Sequence, residues 1–313
     1  MLRKEIINKE MGNQEITKKQ ENYDYLLFLG CLIPTSLPYM EIAARKSLEI
    51  LNIKLKETND FACCPDPVGI KAMDEITWLS LGARNLCVAQ KIGLDILTLC
   101  NGCYETLKET SHILKEQKET LEKVNKILSS VNKEYKGNII VKHIAEVLYK
   151  EVGTSKISSV VKKPLKNLKV SAFYGCHVVR PSEIMEFDDP ENPKFLDELI
   201  EALGAESVPR MRKMLCCGAP LLGVNMELSL EMAKNNLDYI KASGADCIVT
   251  LCPFCQTQFD RNQAVIQRKF NLDYNLPALY YPELLCLALG VEPEKLGFNL
   301  HRVKVDPILE KIL

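Results

Sequence analysis

The sequence predicts an α/β protein made of two repeated halves, each with a short parallel sheet. A five-cysteine pattern occurs twice in the same order, which indicates an internal duplication and two halves related by a pseudo-twofold axis. Segments with helical periodicity alternate with apolar runs, as expected for right-handed parallel crossovers. Four apolar runs, each ending at a cysteine, have the composition of strands buried on both faces, and these cover residues 25–31, 95–100, 169–176 and 246–252.

The helices lie between these strands. The charged stretch 104–132 predicts a solvated helix, with Glu105 and Glu109 paired with Lys108 at the surface. Residues 151–167, which are rich in Ser, Lys and Gly and contain a Pro, predict the link between the halves. Apolar residues at helical spacing predict further helices over residues 39–51, 71–92, 192–203 and 226–242.

Length and composition suit a globular protein of two domains. The 313 residues carry 40 Lys and Arg against 41 Asp and Glu, so no global charge favours nucleic acid or an anionic membrane. We expect a flexible N-terminal extension over 1–22, a first domain over 23–160 and a second over 161–313. The extension lacks the apolar core of a signal peptide, and no apolar stretch is long enough to span a bilayer, so we expect a cytoplasmic protein.

Ten of the thirteen cysteines form the repeated pattern of a single cysteine, a doublet and a CxxC pair. In open α/β sheets, sites form beyond the carboxyl ends of the strands, where the singles and the CxxC pairs lie. The CxxC pairs then open helices, whose positive ends favour thiolates. The first copy is Cys31, Cys63, Cys64, Cys100 and Cys103, and the second is Cys176, Cys216, Cys217, Cys252 and Cys255.

Three kinds of site are compatible with these sulfurs. Structural zinc takes four ligands, whereas each half has five cysteines, two of them adjacent. Thiol-disulfide exchange suits Cys252-Pro-Phe-Cys255 at a helix start but leaves the doublets unexplained. An iron-sulfur cluster in each half uses all the sulfurs, although the ferredoxin run CxxCxxC is absent.

The spacing resembles the cysteine-rich CCG motif, and two tandem copies resemble the B-type subunit of heterodisulfide reductase from methanogenic archaea. The resemblance covers residues 23–300. Two features differ from the motif. The first doublet is followed by Pro65 and not Gly, and the gap between the second doublet and its CxxC pair is one residue shorter than the motif's usual range. Local strings support it: Phe28-Leu-Gly-Cys-Leu-Ile-Pro34, Leu99-Cys-Asn-Gly-Cys-Tyr104, Tyr174-Gly-Cys-His177 and Cys216-Cys-Gly-Ala-Pro220.

The resemblance implies an oxidoreductase of methanogenesis that acts on a sulfur group. In that family each pattern holds a noncubane [4Fe-4S] cluster through its five cysteines, and the disulfide of coenzyme M and coenzyme B is reduced between the two clusters. The implied partners are the iron-sulfur C-type subunit and the flavin-containing A-type subunit, with a hydrogenase or formate dehydrogenase as electron source. The alternatives are the iron-sulfur subunit of another CCG-domain oxidoreductase, of glycolate, lactate or succinate type, and a scaffold with two structural zinc sites.

Other candidates are weaker. His177 follows a cysteine of the pattern and is either the proton donor to the product thiols or a residue that orients a cluster sulfur. Arg180 and Lys213, with Arg210 and Arg212 nearby, are candidates to bind an anionic substrate, although a solvated surface role is the better interpretation of each. The remaining cysteines, which we expect in the core, are Cys87, Cys247 and Cys286.

Nucleotide-binding motifs are missing from the sequence. It contains no GxGxxG, and the glycines with P-loop spacing are followed by Val224-Asn225 where a P-loop has Lys and Ser or Thr. The sequence therefore predicts that electrons arrive from another protein.

Overall fold

The computed structural model describes residues 22–312, so the proposed extension lies almost entirely outside the described residues. Two four-stranded sheets have the same strand order, β2-β1-β3-β4 and β6-β5-β7-β8, and every pairing is parallel. The α/β class and the repeat are thus confirmed. The strands are β1 (Tyr25–Phe28), β2 (Leu55–Lys56), β3 (Ile96–Thr98), β4 (Val141–His143), β5 (Lys169–Phe173), β6 (Glu206–Ser207), β7 (Cys247–Thr250) and β8 (Ala278–Tyr280).

The four apolar runs form the two central strands of each sheet. In the first sheet these are β1 and β3, and in the second β5 and β7, each covered on both faces. The other four strands have two or three residues each, and β2 and β6 pair for only two residues at the sheet edges. Strands β2 and β6 contain no apolar run, and β4 and β8 have only three residues each, which is why the sequence pattern did not reveal them.

Helices connect the strands of the first half. The helix Glu75–Ile92 is capped by Asp74, whose side chain accepts a hydrogen bond from Thr77 N at 3.2 Å. Gly93 follows its last residue in the left-handed conformation of a helix terminus. The helices are α1 (Leu32–Ser36), α2 (Pro38–Ile50), α3 (Gly69–Met73), α4 (Glu75–Ile92), α5 (Asn101–Glu116), α6 (Lys118–Leu128), α7 (Ile144–Glu146) and α8 (Thr154–Val160), with a 3₁₀ turn at Ser129–Val131 and a π-helical turn at Val147–Val152.

The second half has the same alternation of strand and helix. The Asn225 side chain caps the helix Met226–Ala242 by accepting a hydrogen bond from Leu228 N at 3.0 Å. The helices are α9 (Ser182–Met185), α10 (Phe195–Glu201), α11 (Met226–Ala242), α12 (Pro253–Gln256), α13 (Gln263–Phe270), α14 (Tyr281–Ala288) and α15 (Asp306–Ile312), with 3₁₀ turns at Ala219–Leu221, Pro293–Lys295 and Phe298–Leu300 and a π-helical turn at Thr257–Arg261.

Two helix predictions need correction. The segment 71–92 is two helices and not one, because Asp74 ends α3 and caps α4. The segment 104–132 is not a single solvated helix, since α5 starts at Asn101, ends at Glu116 and packs between α4 and β4. Its Glu105 and Glu109 side chains are buried, so the predicted surface pairs with Lys108 do not form.

One hydrophobic core crosses from one half to the other. It contains residues of β1, α2, β5, α10 and α14, so neither half buries its apolar surface alone. Helices α2 and α14 pack together, and the Cys286 thiol donates a hydrogen bond to the Ala43 carbonyl at 3.3 Å. All three cysteines outside the pattern are buried, as predicted. The link between the halves contains α8, which ends at Val160, and the domain boundaries stay a prediction.

Within residues 22–312, the helices all lack the length and apolar character needed to cross a membrane.

Candidate metal centres

The five cysteines of the first pattern line one cavity of about 50 Å³. The single cysteine follows β1, the doublet lies in the loop between β2 and α3, and the CxxC pair opens α5, for which its first cysteine is the N-terminal cap. Three of these residues are buried, namely Cys64, Cys100 and Cys103, and two are exposed, Cys31 and Cys63.

The second pattern repeats this arrangement around a cavity of about 30 Å³. Its single cysteine follows β5, its doublet lies between β6 and α11, and its CxxC pair opens α12. Cys176 and Cys216 are partly exposed, whereas Cys217, Cys252 and Cys255 are buried. The structure therefore brings together all five predicted sulfurs in each half.

The two cavities are neighbours and have part of their walls in common. Residues of the first doublet loop and of both CxxC pairs line both of them. A molecule in one cavity therefore lies beside the other. The common lining residues are Asp66, Pro67, Gly102 and Phe254.

Each half also completes the cavity of the other. Asn101 of the first CxxC pair lines the second cavity, and its amide donates a hydrogen bond to the Tyr174 carbonyl at 2.8 Å. Pro253 of the second CxxC pair lines the first cavity. The thiols of Cys100 and Cys252 interact across the boundary, and a hydrogen bond from Cys100 is the main cause that lowers the pKa of Cys252.

Two buried asparagines at equivalent places hold the doublet loops. Asn85 of α4 donates to the Cys63 carbonyl at 3.1 Å, and Asn236 of α11 donates to the Cys216 carbonyl at 2.9 Å. Both asparagine side chains are buried and need such hydrogen-bond partners. Sequence analysis missed both, although each lies 20 to 22 residues after the first cysteine of its doublet, a spacing that alignment of the two halves would have shown.

A second pair of equivalent side chains supports the same loops from the CxxC helices. The Thr106 hydroxyl donates to the Pro65 carbonyl at 2.9 Å, and the Gln258 amide donates to the Cys217 carbonyl at 2.9 Å. Each donor lies three residues after the last cysteine of its pattern. Both doublets are thus tied to the helix that carries the CxxC pair, which keeps the sulfurs of one cavity together.

A glycine precedes each single cysteine because a side chain does not fit there. Both glycines have positive φ, +70° at Gly30 and +74° at Gly175, a conformation that L side chains rarely adopt. A Cβ atom at Gly30 would lie 2.8 Å from the Cys103 sulfur, and one at Gly175 would lie 2.5 Å from the Asn101 amide nitrogen. The missing side chain lets the strand end approach the CxxC helix closely.

Contacts among the thiols lower the pKa of one cysteine in the first cavity and of two, Cys216 and Cys252, in the second. Hydrogen bonds from Cys103 and Cys63 lower the pKa of Cys64 to about 5. In the second cavity, hydrogen bonds from Cys176 and Cys217 lower the pKa of Cys216 strongly. Thiolates are the form that binds metal, so the donor set suits soft metal centres.

His177 lines the second cavity and forms an ion pair between its Nδ1 and the buried Glu105 carboxylate of the first half. Burial by itself would lower the pKa of His177, but the hydrogen bond and charge of Glu105 outweigh burial and raise it. The ring therefore favours the protonated form. Sequence analysis placed Glu105 at the surface and missed this role, because the pair joins residues of different halves.

The two predicted substrate-binding cations have other partners. Arg180 pairs with Glu191 at 2.8 Å and also donates to the Pro190 carbonyl. Lys213 pairs with Asp197, and neither cation is among the described residues that line the two cavities. The structure thus does not bring Arg180 and Lys213 together with the cysteines.

The donor set fits a cluster of several irons in each cavity. Five sulfurs line each cavity, and adjacent cysteines of a doublet can bind different irons of one cluster. Within residues 22–312, no group of three or more His, Cys, Asp or Glu side chains is arranged to hold a single metal ion.

Comparison with known proteins agrees with this architecture. The family CCG, described as a cysteine-rich domain, matches residues 25–108 and 170–260, which contain the two patterns. The B-type subunit of a heterodisulfide reductase of Methanosarcina acetivorans, described as dependent on ferredoxin and F420H2, is 42% identical over 91% of this chain and 96% of its own length. The chain belongs to the family of heterodisulfide reductase B-type subunits.

More distant relatives carry other names. A protein of Archaeoglobus profundus, named as similar to the B-type subunit, is 35% identical over 92% of this chain and 98% of its own length. An 8-methylmenaquinol:fumarate reductase membrane anchor subunit of Wolinella succinogenes is 32% identical over 90% of this chain and 96% of its own length.

The fold also occurs in a solved structure. A hypothetical protein from Helicobacter pylori has a TM-score of 0.72 and 18% identity, and the match covers 90% of this chain and 52% of that protein. The chain thus spans about half the length of that structure, and the similarity supports the α/β fold alone.

Proposed function

We propose that the chain is the catalytic subunit of a CoB-CoM heterodisulfide reductase of methanogenesis. The disulfide R–S–S–R′ takes up two electrons and two protons, the sulfur–sulfur bond breaks, and two thiols leave. The observation that carries the proposal is the pair of five-sulfur cavities with a common wall, because two like redox centres beside one bond suit a two-electron cleavage. The 42% identity to a relative named for this reaction supports it.

The proposed cofactors are two noncubane [4Fe-4S] clusters, one in each cavity. When bound, they supply one-electron redox chemistry on either side of the substrate. Three cysteines of each set are buried, and the doublet loops held by Asn85 and Asn236 keep the sulfurs in place. One cluster would be held by Cys31, Cys63, Cys64, Cys100 and Cys103, and the other by Cys176, Cys216, Cys217, Cys252 and Cys255.

His177 is the proposed proton donor to one product thiolate. It lines the second cavity beside Cys176, and Glu105 keeps its ring oriented and favours the protonated form. The position equivalent to His177 in the first half is Leu32, whose side chain has no proton to donate. We therefore propose that the thiol released at the second cavity receives its proton from the chain.

The proposed partners are the iron-sulfur C-type subunit and the flavin-containing A-type subunit of heterodisulfide reductase, with a hydrogenase or formate dehydrogenase as electron source. The relatives named as B-type subunits support membership of a complex of several subunits. The absence of a dinucleotide motif from the sequence agrees with electrons that arrive from another protein.

A second candidate is the iron-sulfur subunit of another CCG-domain oxidoreductase, of glycolate, lactate or succinate type. The relative from Wolinella succinogenes, named for fumarate reduction, is the observation behind this candidate, and at 32% identity it is less similar than the heterodisulfide reductase relative. Fumarate and succinate contain no disulfide. The first candidate is supported if the anaerobically purified complex reduces the heterodisulfide and does not oxidise glycolate, lactate or succinate.

The proposal is tested by metal content and by one cysteine variant in each cavity. The wild-type chain, purified anaerobically and free of its iron-sulfur partners, should hold about eight irons and about eight acid-labile sulfides. Cys64→Ser and Cys217→Ser should each lose or distort one cluster and abolish heterodisulfide reduction.

Cys286→Ser is the matched control, because this cysteine is fully buried, lines neither cavity, and its thiol already donates a hydrogen bond to a carbonyl. It should keep all the iron and full activity. Zinc without sulfide in the wild type, or full turnover by Cys64→Ser, would contradict the proposal.

A further inference from the structure

The fourth strand of each sheet ends at a buried polar residue. These residues are His143 at the end of β4 and Tyr280 at the end of β8, and each is the N-terminal cap of the helix that follows. His143 pairs in register with Thr98 and Tyr280 with Thr250, each two residues before the first cysteine of a CxxC pair. The two residues therefore occupy equivalent positions beside the two cysteine sets.

Tyr280 reaches across the boundary between the halves. Its hydroxyl donates a hydrogen bond to the Leu99 carbonyl at 3.0 Å. Leu99 directly precedes Cys100, so this bond holds the backbone of the first CxxC pair from the second half. The residue equivalent to Leu99 is Leu251, which directly precedes Cys252. The pseudo-twofold relation thus predicts that His143 faces the start of the second CxxC pair.

His143 faces this place with an N–H group that has no partner. Its Nδ1 accepts a hydrogen bond from the Ala145 backbone N–H at 3.1 Å, so the neutral ring carries its proton on Nε2. Nε2 is buried, and no group among residues 22–312 accepts a hydrogen bond of good geometry from it. Burial lowers the pKa of His143 to about 4, and the Cys252 sulfur and the Leu251 carbonyl act against burial.

A hydrogen-bond donor beside Cys252 matters for a metal centre. Buried donors in proteins nearly always have a partner, and Cys252 is a buried member of the second cysteine set. Hydrogen bonds to the sulfurs of an iron-sulfur cluster favour its more negative, reduced state and so raise its reduction potential. In the first half the equivalent donor is already bound to a carbonyl, which leaves Tyr280 no proton for the sulfur of Cys100.

We propose that His143 is a positioning residue that makes the two clusters unequal. Its Nε2–H donates a hydrogen bond to the Cys252 sulfur and raises the reduction potential of the second cluster alone, whereas Tyr280 holds only the backbone of the first CxxC pair. This inference rests on the two clusters of the proposed function. Each cluster takes up one electron from the partner proteins, and no bond is broken and no proton moves in that step.

His143→Asn tests the inference, because the Asn side-chain oxygen still caps the helix while the donor on the far side of the ring is lost. The chain, purified anaerobically and free of its iron-sulfur partners, is reduced stepwise with dithionite at measured potentials and followed by electron paramagnetic resonance. The wild type should show two one-electron transitions. His143→Asn should lower the equilibrium constant of one reduction about tenfold, which is about 59 mV, and leave the other transition and the iron content unchanged.

Two further variants separate the hydrogen bond from the fold. Tyr280→Phe is the matched control, because it removes the equivalent donor, which is bound to a carbonyl and not to a sulfur. It should lower the urea midpoint of unfolding without moving either transition. His143→Gln carries an amide nitrogen at about the place of Nε2, so it should bring the shifted transition back to within about threefold of the wild-type equilibrium constant.

The outcomes distinguish this inference from the proposed function. A wild-type chain without iron-sulfur clusters overturns the proposed function. A wild type with both clusters overturns only the inference if His143→Asn keeps its iron and moves neither transition, or moves both equally. Loss of iron from His143→Asn, or an equal shift in Tyr280→Phe or His143→Gln, also overturns it, because the residue would then act through the fold and not through the sulfur.

Discussion

Replacing Gly175 by alanine should destabilise the protein more than the same change at a glycine in the same backbone conformation elsewhere. Alanine at a φ of +74° costs about 1–2 kcal/mol for the left-handed backbone. Its Cβ would also lie 2.5 Å from the Asn101 amide nitrogen, which must move and break its 2.8 Å hydrogen bond to the Tyr174 carbonyl. A buried acceptor left without a partner costs about 1–3 kcal/mol, so we expect a total of about 2–5 kcal/mol.

Gly244 is the matched control, because its φ is +73° and nothing lies within 4 Å of an added Cβ. Gly244→Ala should cost only the backbone contribution of about 1–2 kcal/mol. The measurement is anaerobic urea unfolding of both variants, followed by circular dichroism and compared at equal m-values. Equal loss of unfolding free energy in the two variants would refute the steric reasoning.

Two further predictions concern histidines. His301 is fully buried 2.9 Å from Glu283, and the charge of this carboxylate raises its pKa despite burial. Because the folded pKa is the higher one, this stabilisation is complete below the unfolded pKa of about 6.5 and is lost as pH rises through the folded pKa. The stability difference between wild type and His301→Gln in urea unfolding should therefore shrink as pH rises from about 6.5 through the raised pKa of the folded state, and a difference that grows would contradict it. For the proposed proton donor, His177→Asn and Glu105→Gln should each lower kcat by about 10²-fold or more with iron unchanged, whereas turnover within about twofold of wild type would exclude this role.

Local sequence was enough to predict the central strands of both sheets and the two cysteine sets. Each of these strands is a continuous apolar run, and each single cysteine and CxxC pair directly follows one. Parallel strands end at the same sheet edge, so sulfurs far apart in sequence had to meet there. The edge strands β2 and β6 escaped prediction because strands of two residues, neither of them buried, carry no periodic signal.

Helix α5 shows where local reasoning failed. Its charged sequence is typical of a solvated surface, yet Glu105 and Glu109 are buried because each finds a cationic partner at a distance along the chain. Glu109 pairs with Lys71 at 2.7 Å, and Glu105 pairs with His177 of the other half. Buried carboxylates need such partners, and no periodicity within α5 could indicate them.

The sequence by itself determined that ten cysteines form two equivalent sets, each at one sheet edge, because spacing and strand ends are local properties. Only the tertiary structure decided that the two sets lie side by side with Phe254 and Gly102 at their boundary. Packing of the two halves around two shared hydrophobic cores brings each CxxC helix against the cavity of the other half. That contact joins residues about 150 positions apart, where chain order carries no information about distance.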